Sequence, residues 1–150
     1  MKILITGGLG HIGSYIIKNF IKNKKIKKIF VVDNISNQRF PVLLSMKSSK
    51  IKFLYGDTVD KKLYKKIPKV NIVLHLASIT NAEKSFDIKK EIYKNNFGSF
   101  KNVVNYCKKN NSKLIHISST SVYGPQKNIV DEKLKKLFPQ SPYAIIKLKE

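Results

Sequence analysis

The sequence predicts an α/β fold built on a doubly wound parallel sheet with helices on both faces. Short apolar runs alternate along the chain with longer stretches in which apolar residues recur at helical spacing. Glycine, aspartate or proline follows most of the apolar runs, as is typical of the loops that leave such strands. The length of 150 residues suits one domain.

Each element follows from a local pattern. Five runs rich in Ile, Leu, Val or Phe are expected as strands: Lys2–Thr6, Lys28–Val32 ending at Asp33, Ile51–Tyr55, Asn71–Leu76 and Lys113–Ser118. Helices are expected over Ile12–Ile21, around Lys61–Ile67, over Glu83–Lys109 with a break near Asn95–Gly98, and from about Ser141 onward. A loop is expected from Gly124 to Pro139 or Pro142.

The composition raises one alternative class of function. The formal net charge is +21, and a charge this high is typical of some nucleic-acid-binding proteins. Arg39 is the one arginine among 30 basic residues, however, and readers of bases and phosphates favour arginine for its two-pronged geometry. The lysines are spread along the chain, with one denser run at Lys22–Lys28. Nucleic-acid binding is therefore kept only as the less favoured alternative.

The cellular location of the protein is predicted from its apolar segments and its cysteine content. No apolar run approaches the roughly 20 residues that span a bilayer. The apolar start of the chain meets glycine too soon for the core of a secretion signal. The single cysteine, Cys107, is expected to pack within a helix. We expect a cytoplasmic protein with no membrane partner.

A glycine-rich loop joins the first strand to the first helix. Gly8, Gly10 and Gly13 match the G-x-G-x-x-G spacing, and Gly7, Gly10 and Gly13 fit a wider one. Glycine permits the tight turn, the approach of a pyrophosphate and close helix packing, while the helix N-terminus offers N–H groups to the phosphates. Asp33 lies 20 residues beyond Gly13, where a carboxylate binds the adenosine ribose and repels a 2′-phosphate. This context predicts a Rossmann-like domain that binds NAD in preference to NADP.

Seven segments, in order along the whole chain, resemble the extended short-chain dehydrogenase/reductase family, especially its NAD-dependent nucleotide-sugar epimerases. They are Thr6–Gly13, Val32–Asn34, Gly56–Asp57, Leu74–Ser78, Asn95–Ser99, Ser118–Gly124 and Ser141–Lys147, the last two similar to S-S-x-x-V-Y-G and S-P-Y-x-x-x-K. The resemblance implies a nucleotide-sugar substrate and a homodimer for the complete protein. It also implies a set of cofactor-binding residues: Gly7, Gly10, His11, Ile12, Gly13, Asp33, Asn34, Asp57, Thr58, Leu76, Ala77, Ser78, Asn95, Tyr143 and Lys147.

The resemblance further implies a catalytic set of Ser119, Tyr143 and Lys147. Tyr143 and Lys147 are four residues apart and share one face of the last helix. The lysine ammonium, together with the positive nicotinamide of NAD, is expected to favour the phenolate and so to lower the tyrosine pKa from its usual value of about 10. Tyr143 would then take a proton from a sugar hydroxyl while hydride passes to NAD, and Ser119 would hydrogen-bond the same hydroxyl.

Several of these residues also have simpler interpretations. Asp57 suits an ordinary turn, Asn95 suits a helix break, and the serines around Ser119 suit the end of a strand. His75 and His116 lie within strand patterns and are expected to be packed rather than catalytic, and His11 is expected to contribute its backbone alone. The joint occurrence of the motifs favours the active-site interpretation over each simpler one.

Two features bear on the reaction. Related dehydratases carry an acidic residue just before the V-Y-G segment, where this chain has Thr120 and Ser121, so we expect an epimerase, with dehydratase or reductase as alternatives. The sequence also stops at Glu150, inside the helix of Tyr143 and Lys147. We therefore expect residues 1–150 to form an NAD-binding domain truncated before a C-terminal substrate region, which would bind NAD but be inactive alone.

Overall fold

A computed structural model describes all residues from 1 to 150 and contains one parallel sheet of five strands. The strands are Lys2–Thr6 (β1), Lys28–Asp33 (β2), Ile51–Tyr55 (β3), Ile72–His75 (β4) and Lys113–His116 (β5). Their order is β3-β2-β1-β4-β5, and every neighbouring pair is parallel. The order reverses between β1 and β4, so the connections leave the sheet in opposite directions there and open a crevice at the carboxyl ends. The predicted doubly wound fold is confirmed.

The helices are His11–Lys22 (α1), Lys89–Ile92 (α2), Gly98–Asn110 (α3) and Pro142–Lys149 (α4), with 3₁₀ turns at Phe40–Ser45, Leu63–Lys66, Lys84–Phe86 and Thr120–Tyr123. The two longest, α1 and α3, cover opposite faces of the sheet. The 3₁₀ turn after β2 falls in a stretch for which the sequence predicted no element. The short helix expected around Lys61–Ile67 exists as one 3₁₀ turn, which begins after the Asp60 side chain accepts a hydrogen bond from the N–H of Lys62.

The break expected near Asn95–Gly98 is wrong. The chain instead continues from α2 into α3 through a π-helical turn at Tyr93–Phe97. A π-helical turn contains one residue more than an α-helical turn. Here the wider turn accompanies Asn96, whose buried amide contacts the loop that follows β4. There Oδ1 of Asn96 accepts a hydrogen bond from the N–H of Ile79, and Nδ2 donates to the carbonyl of Ile79, both at 2.9 Å.

Side chains of alternating strand positions form a separate core on each face of the sheet. Ile5 and Val31 point towards Ile17 of α1, whereas Leu4 and Val73 point towards Val103 of α3. Each of these side chains is fully excluded from solvent, and such burial contributes about 1.5–3 kcal/mol per residue. The α3-side core also includes Cys107, which confirms the packing role expected for the single cysteine.

A buried polar cluster lies where β4 meets α3. His75, only 2% exposed, hydrogen-bonds Thr6 Oγ1 through Nδ1 at 2.6 Å and approaches Ser99 Oγ through Nε2 at 3.4 Å. Its ring stacks on that of His116, with ring centres 5.6 Å apart. Burial, reinforced by the neighbouring His116, lowers the pKa of His75 to about 3. Both histidines are packed residues, as expected from the strand pattern.

None of the helices combines the length and the apolarity that crossing a bilayer requires.

The buried His75 predicts how stability depends on pH. Its folded pKa of about 3 lies below the value of 6.5 for a free histidine, so unfolding takes up a proton between these two pH values. Stability should therefore fall as the pH falls from about 6.5, with a contribution from His75 of about 1.4 kcal/mol per pH unit. Urea unfolding at a series of pH values measures this slope.

The matched variants are His75→Gln and His11→Gln, since His11 is exposed. His75→Gln should be less stable near neutral pH but should lose the histidine part of the slope, whereas His11→Gln should keep it. An equal slope in wild type and His75→Gln would contradict the assignment.

Candidate active site and cofactor cleft

A cleft of about 500 Å³ opens at the carboxyl ends of the strands, at the crevice between β1 and β4. This volume lies within the range of about 300–1,000 Å³ that is usual for ligand sites. Its walls come from the loop after β1, the segments after β2, β3 and β4, and one face of α4. Every cofactor-binding residue expected from the sequence lines this one cleft.

The glycine loop forms the floor of the cleft and packs tightly against its neighbours. Gly7 has φ +66°, and a Cβ there would lie 2.7 Å from the backbone nitrogen of Ala77. A Cβ at Gly13 would lie 2.7 Å from the Cα of Gly8. Gly8 itself faces the core, where a Cβ would meet Val31 at 2.6 Å. The cleft is therefore lined by the wider pattern of Gly7, Gly10 and Gly13.

Gly10 differs from the other loop glycines because the protein itself leaves room for a side chain. Its backbone is extended, with φ −64° and ψ 173°, and it forms the N-cap of α1. A Cβ there would meet only the carbonyl oxygen of Gly7, at 3.2 Å. That open space lies in front of the first N–H groups of α1, which have no partner within the helix. The geometry fits a pyrophosphate that approaches the helix N-terminus.

Asp33 connects β2 to the glycine loop. One carboxylate oxygen accepts a hydrogen bond from the N–H of Leu9 at 3.0 Å, and the other accepts from the N–H of Ile35 at 2.9 Å. The carboxylate lines the cleft and keeps lone pairs for the hydroxyls of a ribose. Asp33 thus also fixes the loop in place, a role that motif spacing does not reveal.

The residues after β2 and β3 meet at one end of the cleft. Asn34 Nδ2 donates to Asp57 Oδ2 at 3.3 Å, and Asp57 Oδ1 accepts from the N–H of Val59 at 2.9 Å. Asp57 is therefore both a turn residue and a cleft residue, so its two interpretations are compatible. Thr58 lies deeper, 6% exposed, and its Oγ1 accepts from Ser99 Oγ at 2.7 Å.

The wall after β4 consists of Leu76, Ala77 and Ser78. The N–H of Leu76 donates to the side chain of Thr6 at 3.3 Å, which ties this wall to the end of β1. Asn95 also lines the cleft, and its Nδ2 donates to Asn96 Oδ1 at 2.9 Å. The helix break expected at Asn95 is absent, since Asn95 lies within the π-helical turn.

Tyr143 and Lys147 line the opposite end of the cleft from one face of α4. Ser141 caps this helix by accepting the N–H of Ala144 at 3.1 Å. Both cleft side chains are largely buried, Tyr143 at 8% and Lys147 at 7% exposed. Lys147 Nζ donates to the carbonyl of Ile117 at 3.2 Å and to the carboxylate of Glu150 at 2.7 Å.

The protein by itself does not lower the pKa of Tyr143, and the lowering expected from Lys147 together with NAD stays a prediction. Burial raises this pKa, a hydrogen bond with Ser119 partly opposes the rise, and the charge of Glu150 adds to it. The ammonium of Lys147 is paired with the carboxylate of Glu150 at 2.7 Å, and it is not among the groups that shift the pKa of Tyr143. Burial alone would raise the pKa of Glu150, but hydrogen bonds from His116 and Lys147 outweigh this effect and lower it.

Ser119 stands beside the cleft rather than among its lining residues. It caps the 3₁₀ turn at Thr120–Tyr123, and its Oγ accepts from the N–H of Ser121 at 3.2 Å. The Oγ atoms of Ser119 and Ser121 are 2.8 Å apart. The Ser119 hydroxyl is still among the groups that lower the pKa of Tyr143, so the structure places the expected Ser–Tyr pair close together. Of the three expected catalytic residues, Lys147 is the one whose polar group is bound by residues outside the set, Ile117 and Glu150.

The loop after β2 supplies cleft residues that the sequence did not predict. Arg39 is the most distinctive, since its guanidinium Nη2 lies 3.2 Å from Nδ1 of His11. The ring of His11 thus contacts a residue of this loop, an interaction that the sequence did not predict. The one available signal was composition, because Arg39 is the single arginine of a lysine-rich chain.

The fold and the cleft together define a dinucleotide-binding α/β protein with a tyrosine–lysine pair beside the cofactor site. The chain belongs to the NAD dependent epimerase/dehydratase family, whose family model matches residues 3–149. NAD is the cofactor of this family, and the open space at Gly10 and the carboxylate of Asp33 fit it.

Relatives by sequence include two enzymes of nucleotide-sugar chemistry. The chain is 32% identical to a UDP-glucose 4-epimerase of Yersinia enterocolitica, with 99% of this chain and 46% of the relative covered. It is 35% identical to a dTDP-D-glucose 4,6-dehydratase of Dictyostelium discoideum, with 82% of this chain and 30% of the relative covered.

Solved structures of similar fold include two 4-epimerases. One is the UDP-N-acetylglucosamine 4-epimerase from Methanobrevibacter ruminantium in complex with UDP-N-acetylmuramic acid, with a TM-score of 0.89 and 30% identity over 99% of this chain and 47% of that one. The other is the UDP-glucuronic acid 4-epimerase from Bacillus cereus with UDP-glucuronic acid and NAD, with a TM-score of 0.86 and 31% identity over 99% and 49%. The chain spans less than half the length of all these relatives.

Substitution of Gly10 tests the phosphate end of the cleft. Gly10→Ala should fold normally, because the new Cβ meets only one carbonyl oxygen, but it should weaken NAD binding at least about tenfold by obstructing the pyrophosphate. Gly98→Ala is the matched control, since a Cβ there lies 4.0 Å from its nearest neighbour, Val59, and outside the cleft. Calorimetric titration with NAD measures both. Equal affinities in the two folded variants would rule out the loop as the phosphate site.

Removal of the Glu150 charge tests the electrostatics of Tyr143. Glu150→Gln should lower the pKa of Tyr143, because it removes a negative charge that raises this pKa and releases the ammonium of Lys147. Ultraviolet titration of the phenols follows the change, and subtraction of a Glu150→Gln/Tyr143→Phe double variant isolates Tyr143. Glu132→Gln, an exposed acid, is the control. An unchanged or higher Tyr143 pKa would contradict the proposed coupling.

Proposed function

We propose that this chain is the cofactor-binding and proton-transferring part of an NAD-dependent nucleotide-sugar epimerase. The observation that carries the proposal is that one continuous cleft is lined at one end by the glycine loop and Asp33 and at the other by Tyr143 and Lys147. A dinucleotide laid along this cleft would have its phosphates at α1 and its reactive end beside Tyr143. When a sugar hydroxyl reaches the phenol oxygen, the carbon that bears this hydroxyl would then lie next to the nicotinamide that accepts its hydride.

Tyr143 is proposed as the acid–base catalyst. Its phenol oxygen exchanges a proton with the sugar hydroxyl, and a positioned group of this kind typically contributes about 10²–10⁴-fold to the rate. NAD, when bound, supplies the reversible hydride acceptance that makes the hydroxyl carbon a ketone. Ser119, whose hydroxyl lowers the pKa of the phenol, is proposed to hydrogen-bond the same sugar hydroxyl.

Lys147 is proposed to change partners as the site fills. Its Nζ is held between the carbonyl of Ile117 and the carboxylate of Glu150, beside the cleft. The ribose hydroxyls of a bound cofactor would offer it additional acceptors. A lysine shared in this way would position the cofactor and favour the phenolate only in the loaded site.

Epimerisation is favoured over elimination by the residues beside Ser119. Loss of water from a sugar requires a second acid or base near a neighbouring carbon. At the position where related dehydratases carry an acid, this chain has Thr120 and Ser121, and the Ser121 hydroxyl is 2.8 Å from that of Ser119. A 4,6-dehydratase is the second candidate, because the carboxylate of Glu91 lines the cleft and one relative is a dehydratase. A homodimer, implied by the resemblance, and a cytoplasmic location, expected from the composition, stay predictions.

The test is turnover on a panel of UDP- and dTDP-sugars, with the chain expressed together with any sequence that follows Glu150 in its reading frame. Tyr143→Phe should lose about 10²–10⁴-fold in kcat while NAD affinity changes less than about twofold, because only the proton-exchanging hydroxyl is removed. Tyr15→Phe is the control, since Tyr15 is 72% exposed on α1. Proton NMR of the product distinguishes an epimer from a dehydrated sugar.

Three results would change the proposal. Full activity of Tyr143→Phe on a confirmed substrate would require another base. A dehydrated product would establish the second candidate. NAD binding without turnover on any sugar would leave a binding module.

A further inference from the structure

We propose that Arg39 is a cofactor-anchoring residue that clamps the pyrophosphate of NAD against the N-terminus of α1. This proposal rests on the proposed function, in which NAD binds in the cleft, and it adds to the cofactor site a residue that lies outside the glycine loop. Arg39 is the single arginine among 30 basic residues, and it lies on the wall of the cleft. The lysines that line the rest of the surface share its charge but not its planar donor group.

The backbone after β2 is folded so that Arg39 returns to the glycine loop. Ile35 and Gln38 both adopt left-handed conformations, with φ 58° and φ 52°, which non-glycine residues rarely do. Asp33 stabilises the first bend by accepting the N–H of Ile35, and the N–H of Gln38 donates to the carbonyl of Ile35 at 2.8 Å. Arg39 then precedes the 3₁₀ turn at Phe40–Ser45 and is half-buried.

The position of the guanidinium indicates which part of the cofactor it meets. Nη2 of Arg39 is 3.2 Å from the ring of His11, the first residue of α1. An arginine can only donate, so Nδ1 of His11 is the acceptor of this hydrogen bond. A phosphate at the start of α1 is therefore within the range of the guanidinium. Asp33, which suits the ribose, contacts Leu9 and Ile35 rather than Arg39.

The charge of Arg39 is not balanced by the protein. The ion pairs of the chain both involve Glu150, at the opposite end of the cleft, and the acids nearest in sequence, Asp33 and Asp57, form none with Arg39. A half-buried cation without a carboxylate partner is suited to an anionic ligand, and a guanidinium binds two phosphate oxygens at once. The helix N-terminus and Arg39 would then hold the pyrophosphate from two sides.

Calorimetric titration of the chain with NAD, ADP, adenosine and NADP tests the assignment. Arg39→Gln should weaken NAD and ADP about 10- to 100-fold, the usual effect of losing a charge-assisted hydrogen bond, and leave adenosine unchanged. Arg39→Lys should restore part of the affinity, since it keeps the charge without the fork. Lys18→Gln, which removes the same charge from an exposed site on α1 outside the cleft, should change NAD affinity less than about twofold.

Other patterns would overturn the proposal. An unchanged NAD affinity in Arg39→Gln would remove Arg39 from the site. Equal losses for adenosine and NAD would place it on the nucleoside, and a loss confined to NADP would place it on a 2′-phosphate. A wild-type chain that binds neither NAD nor ADP would overturn the cofactor site as a whole, whereas wild-type binding with an unaffected variant would refute only the role of Arg39.

Discussion

The contact between the glycine loop and the segment after β4 is the constraint on which the cleft depends. A side chain at Gly7 would collide with the backbone of Ala77, so the two segments touch with nothing between them. Thr6 reinforces the contact by accepting the N–H of Leu76, and Asp33 ties the other side of the loop to β2 through Leu9. Three strand ends are thereby locked around one turn, which gives the N-terminus of α1 a fixed direction.

The charges at the other end of the cleft are arranged around Glu150. This buried carboxylate accepts from both Lys147 and His116, and His116 stacks in turn on His75. Burial makes each member sensitive to the others, because unscreened charges interact strongly away from water. In the protein alone this carboxylate holds the ammonium of Lys147, and burial, with a smaller contribution from Glu150, keeps the phenol of Tyr143 protonated. The pKa of Tyr143 thus depends in part on a residue that takes no part in the proposed proton transfer.

Most of the fold could be predicted because its determinants are local. The bounds of β1 and β3 match their apolar runs, and α1 follows from residues on one helical face such as Ile17. The glycine loop was predictable because steric exclusion of a Cβ leaves a trace in the sequence, and all the residues expected at the cofactor line the cleft.

The rest was not predictable because it depends on contacts between distant segments. β5 ends at His116 rather than Ser118, since the carbonyl of Ile117 turns to Lys147 of α4. The pairing of Lys147 with Glu150 depends on a third partner, His116, from another element. The path of the loop to Arg39 relies on left-handed isoleucine and glutamine, which no propensity would suggest.

The π-helical turn at Tyr93–Phe97 sets the rotational phase of one long helix. Before the turn, Ile92 packs with Tyr143 and Ile146 of α4, and after it Val103 faces the sheet. Each residue of an α-helix adds a rotation of about 100° about the helix axis. The extra residue of the π-helical turn therefore lets one continuous helix pack against α4 before the turn and against the sheet after it. The register of this segment is therefore a mechanical link between the acid–base helix and the sheet. Adding or removing one residue in this segment would turn one of its two contact faces away from its partner, whereas replacing an exposed side chain would leave both contacts in place.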